Sequence, residues 1–158
     1  SEGSGVRGIA PYQAYSCVDG YLVVAAANDR LFEKLVGVLG HPDWALDPRF
    51  KTNPDRYTNL QALNALLEPI FSTKEITFWQ ERFGKVGVPC APVQTLDQVV
   101  KHEQVEALGI LEKFDTDGIN MVGLPLNFNK HRPPPASNAP ELGSYNNIFD
   151  AFKGEDEA

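Results

Sequence analysis

The hydrophobic pattern changes period along the chain, and each change marks an element. Tyr12–Cys17 and Tyr21–Ala27 are rich in aromatic and β-branched residues, with Val18-Asp19-Gly20 between them. An Asp-Gly pair suits a tight turn, so this stretch predicts a β-hairpin. The period then lengthens to that of a helix. Leu31, Phe32, Leu35, Val36 and Leu39 share one face, Asn28 stands where a cap is needed, and Gly40 stands where the helix must stop. The next stretch, HPDWALDPRFKTNPDR, holds three prolines and three aspartates and predicts a surface connection.

Asn53-Pro54 has the cap-then-proline order of a helix start. Leu60, Leu63, Leu66 and Leu67 form the apolar stripe behind it, and Pro69 is expected to end or kink the helix near Glu68. Ser72-Thr73-Lys74-Glu75 has capping-box spacing ahead of a third helix carrying Ile76, Trp79, Phe83 and Val86, which Gly87-Val88-Pro89 stops. After VPCAPV, Thr95–Gln98 repeats the box before a short helix through about His102. Leu111–Phe114 and Ile119–Leu124, around Asp115-Thr116-Asp117-Gly118, predict a second hairpin. From Pro125 the chain turns to Asn, Pro and Ser, includes Pro133-Pro134-Pro135, and ends in Gly154-Glu155-Asp156-Glu157. A proline run cannot join a sheet or a helix interior, so an extended arm is expected there. The pattern gives an α+β fold, a small antiparallel sheet with helices packed on it, followed by an extended C-terminal arm. The chain thus divides into three parts: a glycine-rich opening loop over 1–10, a small α+β domain over 11–124, and an extended return segment with an acidic tail over 125–158.

Composition narrows the functions. With 158 residues and 42% hydrophobic residues the chain can bury a core without staples. Fourteen basic against 21 acidic residues, a net charge of −7, leave no basic stripe for a nucleic acid. Cys17 and Cys90 lie far apart without metal-ligand spacing, which predicts buried thiols and a reducing compartment, cytoplasmic or mitochondrial. No apolar run reaches the ~18 residues of a membrane span, and no signal-peptide pattern opens the sequence.

The candidate chemistry is sparse. Gly3-Ser4-Gly5-Val6-Arg7-Gly8 matches the glycine pattern of dinucleotide sites, which requires a strand before it and a helix behind it. The residues behind these glycines are strand-like, so the dinucleotide reading fails on context. His41, His102 and His131 have no close helical spacing, so no metal site is expected and surface or helix-end roles are. The chain lacks G-x-S-x-G, and neither cysteine carries a local nucleophile signature. Asp43 and Asp47 flank Trp44 in a proline-rich loop and read as solvated turn acids. Trp79 and Phe83 read as core. From the residues alone, no complete catalytic set is present.

The order of segments adds more. PYQAYSCVDGYLVVAAAND, then LFEKLVGVLGHPDWALDPRFKTNPDRYTN, then FGKVGVPCAPVQTLDQVVKHEQV, and later LPLNFN, PPP and ELGSYN, resembles the C-terminal half of class III CoA-transferases. That family includes formyl-CoA transferases, carnitine CoA-transferases and α-methylacyl-CoA racemases. The resemblance runs from about Gly8 to Asn147. It implies a small domain belonging to a larger chain, whose Rossmann-like domain binds most of the CoA, and an interlocked homodimer. It also implies covalent catalysis, in which an aspartate of the large domain attacks an acyl-CoA thioester and later passes CoA to a carboxylic acid. That aspartate is expected upstream of Ser1, so no catalytic residue is expected in this chain, which would be inactive alone. CoA thioester enters as substrate, with no tightly bound cofactor.

By the same resemblance, GSGVRGIAPYQ stands where the transferases carry a mobile glycine-rich loop that keeps water off the acyl-aspartate. The substrate-binding candidates are therefore Arg7, Gly8 and Ile9. Formyl-CoA transferases have three consecutive glycines at this place, so Gly8 alone carries over directly. Arg7 is a candidate partner for the second carboxylate of a dicarboxylic acid. GIAPYQ differs from the GGAPFY-like stretch of racemases, and PYQAY with VDGY, RPPP and ELG resembles the dicarboxylate branch. A racemase and a non-catalytic acyl-CoA or partner-binding module stand as the alternatives.

Overall fold

A computed structural model describes residues 3–113, 120–134 and 140–146 of the chain. It divides into two compact units, Ser1–Gln94 and Thr95–Ala158.

The first unit is built on a three-stranded antiparallel sheet of β1 (Tyr12–Cys17), β2 (Gly20–Ala25) and β3 (Cys90–Pro92), in the order β1-β2-β3. Cys17 pairs with Gly20 and Tyr12 with Ala25, so the expected hairpin turns at Val18-Asp19. Alternation does its usual work, because Tyr15, Cys17, Leu22 and Val24 all face inward and are buried. β3 is short and contains a proline, which gave no strand signal in VPCAPV. It lies at the sheet edge, where a missing N–H is tolerated, and pairs Leu22 with Pro92.

The helices follow the hydrophobic stripes with four corrections. Asn28 caps α1 (Asp29–Val38) by accepting from the Leu31 amide at 2.9 Å, as expected. The connection after it holds a 3-10 turn, Pro42–Ala45. The single helix expected from Asn53-Pro54 is two, α2 (Asn53–Thr58) and α3 (Leu60–Phe71), broken at Asn59. Thr52 rather than Asn53 caps α2, accepting from the Asp55 amide. Pro69 does not end α3, which runs on to Phe71. A proline in the last turn forfeits one backbone bond, and the fully buried Phe71 ring, stacked 4.6 Å from Tyr15, rewards the extra turn. The fourth correction concerns α4 (Ile76–Val86): Glu75 occupies its cap position without a side-chain bond. The Ser72 and Thr73 hydroxyls instead donate back to the Pro69 and Ile70 carbonyls. The first-turn amide of Ile76 is satisfied from a distance, by the Asp19 carboxylate of the hairpin turn at 2.8 Å. Gly87, at φ +71, ends the helix.

α3 packs on β1, α4 on β2 and β3, and α1 on α4. Their shared core holds Phe32, Leu35, Val36, Phe50, Leu63, Leu67, Phe71 and Phe83, each at most 1% exposed.

The second unit is assembled from short pieces. α5 (Leu96–Val99) opens on the expected box, with the Gln98 side chain accepting from the Thr95 amide at 2.9 Å. It stops at Val99, and His102 opens a further helix, α6 (Glu103–Leu108), by accepting from the Gln104 amide at Nδ1. Without an apolar stripe α6 left no periodic signal. β4 (Leu111–Lys113) and β5 (Asn120–Val122) form the second hairpin. The expected turn Asp115–Gly118, with Phe114 and Ile119, lies outside the described residues, as does the acidic tail. In the arm, Phe128 and His131 bridge each other. The Arg132 guanidinium donates to the Leu108 and Gly109 carbonyls at the end of α6.

Candidate functional site

The glycine pattern leads into a strand, as the sequence required. Val6 donates its amide to the Tyr12 carbonyl, Ile9 donates to Val6, and the Ser4 hydroxyl accepts from the Ala14 amide on β1. The element that follows the glycines is β1 rather than a helix, so the strand-glycine-helix order of a pyrophosphate site is missing. Arg7 and Gly8 are exposed and Ile9 is half-buried. Gly8 sits at φ +79, a left-handed backbone that disfavours side chains, although nothing lies within 4 Å of where its Cβ would be.

The exposed glycines end on a fixed base. Ala10 and Pro11 are buried, and two side chains of α2 hold Ala10 and the Gly8 carbonyl before it. Asn53, freed from capping, accepts from the Ala10 amide at 3.0 Å and donates to the Gly8 carbonyl at 2.9 Å. Arg56, fully buried, donates from Nε to the Ala10 carbonyl at 2.7 Å. Its other nitrogens reach the Phe50 carbonyl at 3.0 Å and Asp29 at 2.9 Å, and its plane covers the Phe32 ring at 4.5 Å. A buried cation is costly unless its donors are satisfied, and here carbonyls and a carboxylate satisfy them. Sequence reasoning missed both anchors. Asn53 looked like a cap, and the contacts that define Asn53 and Arg56 join residues more than forty positions apart.

The other candidates are not brought together. His41 stacks on Trp44 at 4.3 Å, His102 caps α6, and His131 is exposed in the arm. Among the described residues no group of three or more His, Cys, Asp or Glu could hold a metal ion. The Asp47 carboxylate accepts from Arg49 at 2.7 Å, and that bond holds it below the ordinary carboxylate range. Asp43 is exposed at the surface of the 3-10 turn. Cys17 is buried and Cys90 half-buried; burial pushes both thiols upward, away from the thiolate a nucleophile needs. Trp79 and Phe83 are core, stacked at 5.8 Å. A groove of about 570 Å³ between α1 and α4 is walled by the exposed Glu81, Arg82 and Lys85 around Phe78. Among the described residues no helix is long and apolar enough to cross a membrane.

The described chemistry therefore concentrates in one feature, a glycine segment bonded to β1 and tied at its base to α2 on a small α+β unit. The family model for CoA-transferase family III matches residues 1–146, and the chain belongs to that family. The acetyl-CoA:oxalate CoA-transferase of Acetobacter aceti is 33% identical over 126 residues, which cover 80% of this chain and 32% of that protein. The succinyl-CoA:glutarate CoA-transferase of Homo sapiens is 28% identical over 140 residues, covering 87% and 32%. Among solved structures, a CAIB/BAIF family protein from Brucella suis superposes with a TM-score of 0.74 at 33% identity, covering 95% of this chain and 39% of that one. The chain spans about a third of the length of the curated relatives it matches.

Proposed function

We propose that this chain is the C-terminal portion of a CoA-transferase that moves CoA between carboxylic acids. CoA thioester is a substrate in this reading, and no bound cofactor or metal takes part. The nucleophilic aspartate belongs to the larger part of the relatives' length, which this chain does not match. The exposed glycines up to Gly8 shield the acyl and CoA intermediates on it from water, with Arg7 and Ile9 flanking Gly8 at the substrate. Excluding water matters because an anhydride or thioester on a carboxylate can be lost to hydrolysis before it transfers.

The observation that carries the reading is the family match over residues 1–146. Relatives named for oxalate and glutarate favour dicarboxylic acids, whose second carboxylate suits the exposed Arg7 guanidinium. Two copies of the whole protein pair as an interlocked homodimer.

The test is trapping. The whole protein is incubated with an acyl-CoA and quenched with hydroxylamine, and its peptides are mapped by mass. A hydroxamate is expected on one aspartate outside these 158 residues. A hydroxamate inside them would refute the placement of the nucleophile. Exchange of the proton beside a 2-methylacyl thioester without transfer would make the protein a racemase, and acyl-CoA binding with neither reaction would make it a binding module.

A further inference from the structure

We infer that Asn53 is a positioning residue for the glycine segment, with Arg56 as its buried support, so that α2 sets where the exposed glycines stand. The inference rests on the transferase reading for its catalytic consequence, but its geometry is independent of that reading. One amide side chain spans the half-buried Ile9, accepting from Ala10 and donating to Gly8. Arg56 holds the carbonyl of the same Ala10 at 2.7 Å. Ala10 thus has both backbone groups tied to α2, and Gly8 has its carbonyl tied there as well. One residue further, the Pro11 carbonyl accepts from the Ala26 amide at 2.9 Å, which joins the base to the end of β2. On the N-terminal side the bonds run within the segment and to β1: Ile9 donates to Val6, Val6 donates to Tyr12, and Ser4 accepts from Ala14. The left-handed Gly8 lies at the boundary between these ties to α2 and the ties of Ser4 and Val6 to β1.

Thr52, next in sequence, caps α2, so the segment and the helix are served by different side chains. That separation makes the inference testable. Asn53→Ala removes both bonds to the segment and leaves the cap. Thr52→Ala weakens the cap and leaves the segment. If the segment protects the intermediate, loosening it admits water to the acyl carbonyl of the enzyme thioester. The C–S bond then breaks, CoA leaves as the thiol, and the carboxylate is regenerated. The net reaction is acyl-CoA plus water giving acid plus CoA.

Two readouts decide the matter in the whole protein. The first is amide exchange at Val6, Ile9 and Ala10, which needs no activity. Asn53→Ala is expected to speed exchange at Ala10 roughly tenfold while α1 and α3 keep their protection, and Thr52→Ala is expected to leave Ala10 unchanged. The second is the ratio of acyl-CoA hydrolysis to transfer, expected to rise roughly tenfold in Asn53→Ala, with kcat for transfer falling more than KM changes, and to stay level in Thr52→Ala. Asn53→Asp, which keeps the acceptor for Ala10 but not the donor to Gly8, is expected to fall between. Unchanged Ala10 exchange in Asn53→Ala would overturn the anchor. Equal ratios in Asn53→Ala and Thr52→Ala would reduce Asn53 to a purely structural part. A wild-type protein that transfers no CoA would overturn the functional reading and its consequence for transfer, and the exchange result would still decide the anchor.

Discussion

The two units reach order by different routes. In the first, seventeen hydrophobic side chains are buried, from Ala10 to Val88, and the aromatic group Tyr15, Phe71, Trp79 and Phe83 packs ring against ring, stacked and edge-on. Past Val88 none of the described residues is buried; Leu96, Val122, Phe128 and Tyr145 are each more than half exposed. Local features shape the second unit: a capping box, a histidine cap, a hairpin, and Arg132 on the last carbonyls of α6. An apolar core gives cooperativity, whereas caps and short ladders give geometry with little free energy behind it. The clamped base of the glycine segment lies wholly within the cored unit, which suits a part that must hold position.

The largest expected effect comes from attacking that difference directly. Phe71→Ala removes a ring in contact with three aromatic neighbours and is expected to cost about 3–5 kcal/mol by urea unfolding. The same truncation at Phe128, 63% exposed, is expected to stay within about 0.5 kcal/mol. Equal losses would erase the distinction between the units.

Next in size is Arg56→Met, which keeps the bulk and strands the Ala10 and Phe50 carbonyls. A loss of about 3 kcal/mol is expected, most of it from those buried acceptors, because Asp29 can turn to water. A neutral outcome would show that apolar packing against Phe32 replaces the network. Cap removal is smaller: Asn28→Ala, read by thermal unfolding, is expected to cost about 1 kcal/mol.

Parts of this were legible in the residues and parts were not, for physical reasons. The first hairpin and α1 were plain because their signals are local: an Asp-Gly turn, an asparagine cap, a stripe and a glycine stop. Where two side chains compete for one role, sequence cannot choose. Thr52 and Asn53 are both good caps, and only the fold shows that Asn53 is occupied by Gly8 and Ala10. Asp19 satisfying Ile76 across 57 residues is invisible for the same reason, and it displaced the box expected at Ser72–Glu75. Pro69 misled because the rule against proline weighs one lost bond, whereas the packing of Phe71 outweighs it. Arg56 carried no sign of burial, since the carbonyls that neutralise its desolvation come from Ala10, Phe50 and Lys51 as the chain folds.

The smallest expected effect concerns pH and again separates the units. Burial, chiefly, pushes the Cys17 thiol and the Tyr15 phenol upward, with Asp19 and Glu68 adding to the shifts. Groups raised in this way stabilise the fold fully below their unfolded pKa values, about 8.5 for Cys and 10 for Tyr, and the gain is lost as pH rises through the folded ones. Stability is therefore expected to decline above about pH 8.5 and more steeply above 10. The first step should shrink in Cys17→Ala and vanish when Cys90→Ala is added, because burial raises the Cys90 thiol as well. A decline of unchanged shape in the double variant would move the cause elsewhere.

The central claim, that this chain belongs to an enzyme that passes CoA from one carboxylic acid to another, is tested most directly by following label. The whole protein is given succinyl-CoA with carbon-labelled oxalate or glutarate, and the thioesters are separated and counted. Labelled oxalyl- or glutaryl-CoA is expected to appear in step with free succinate. Succinate and free CoA appearing together, with no label entering a thioester, would contradict the claim.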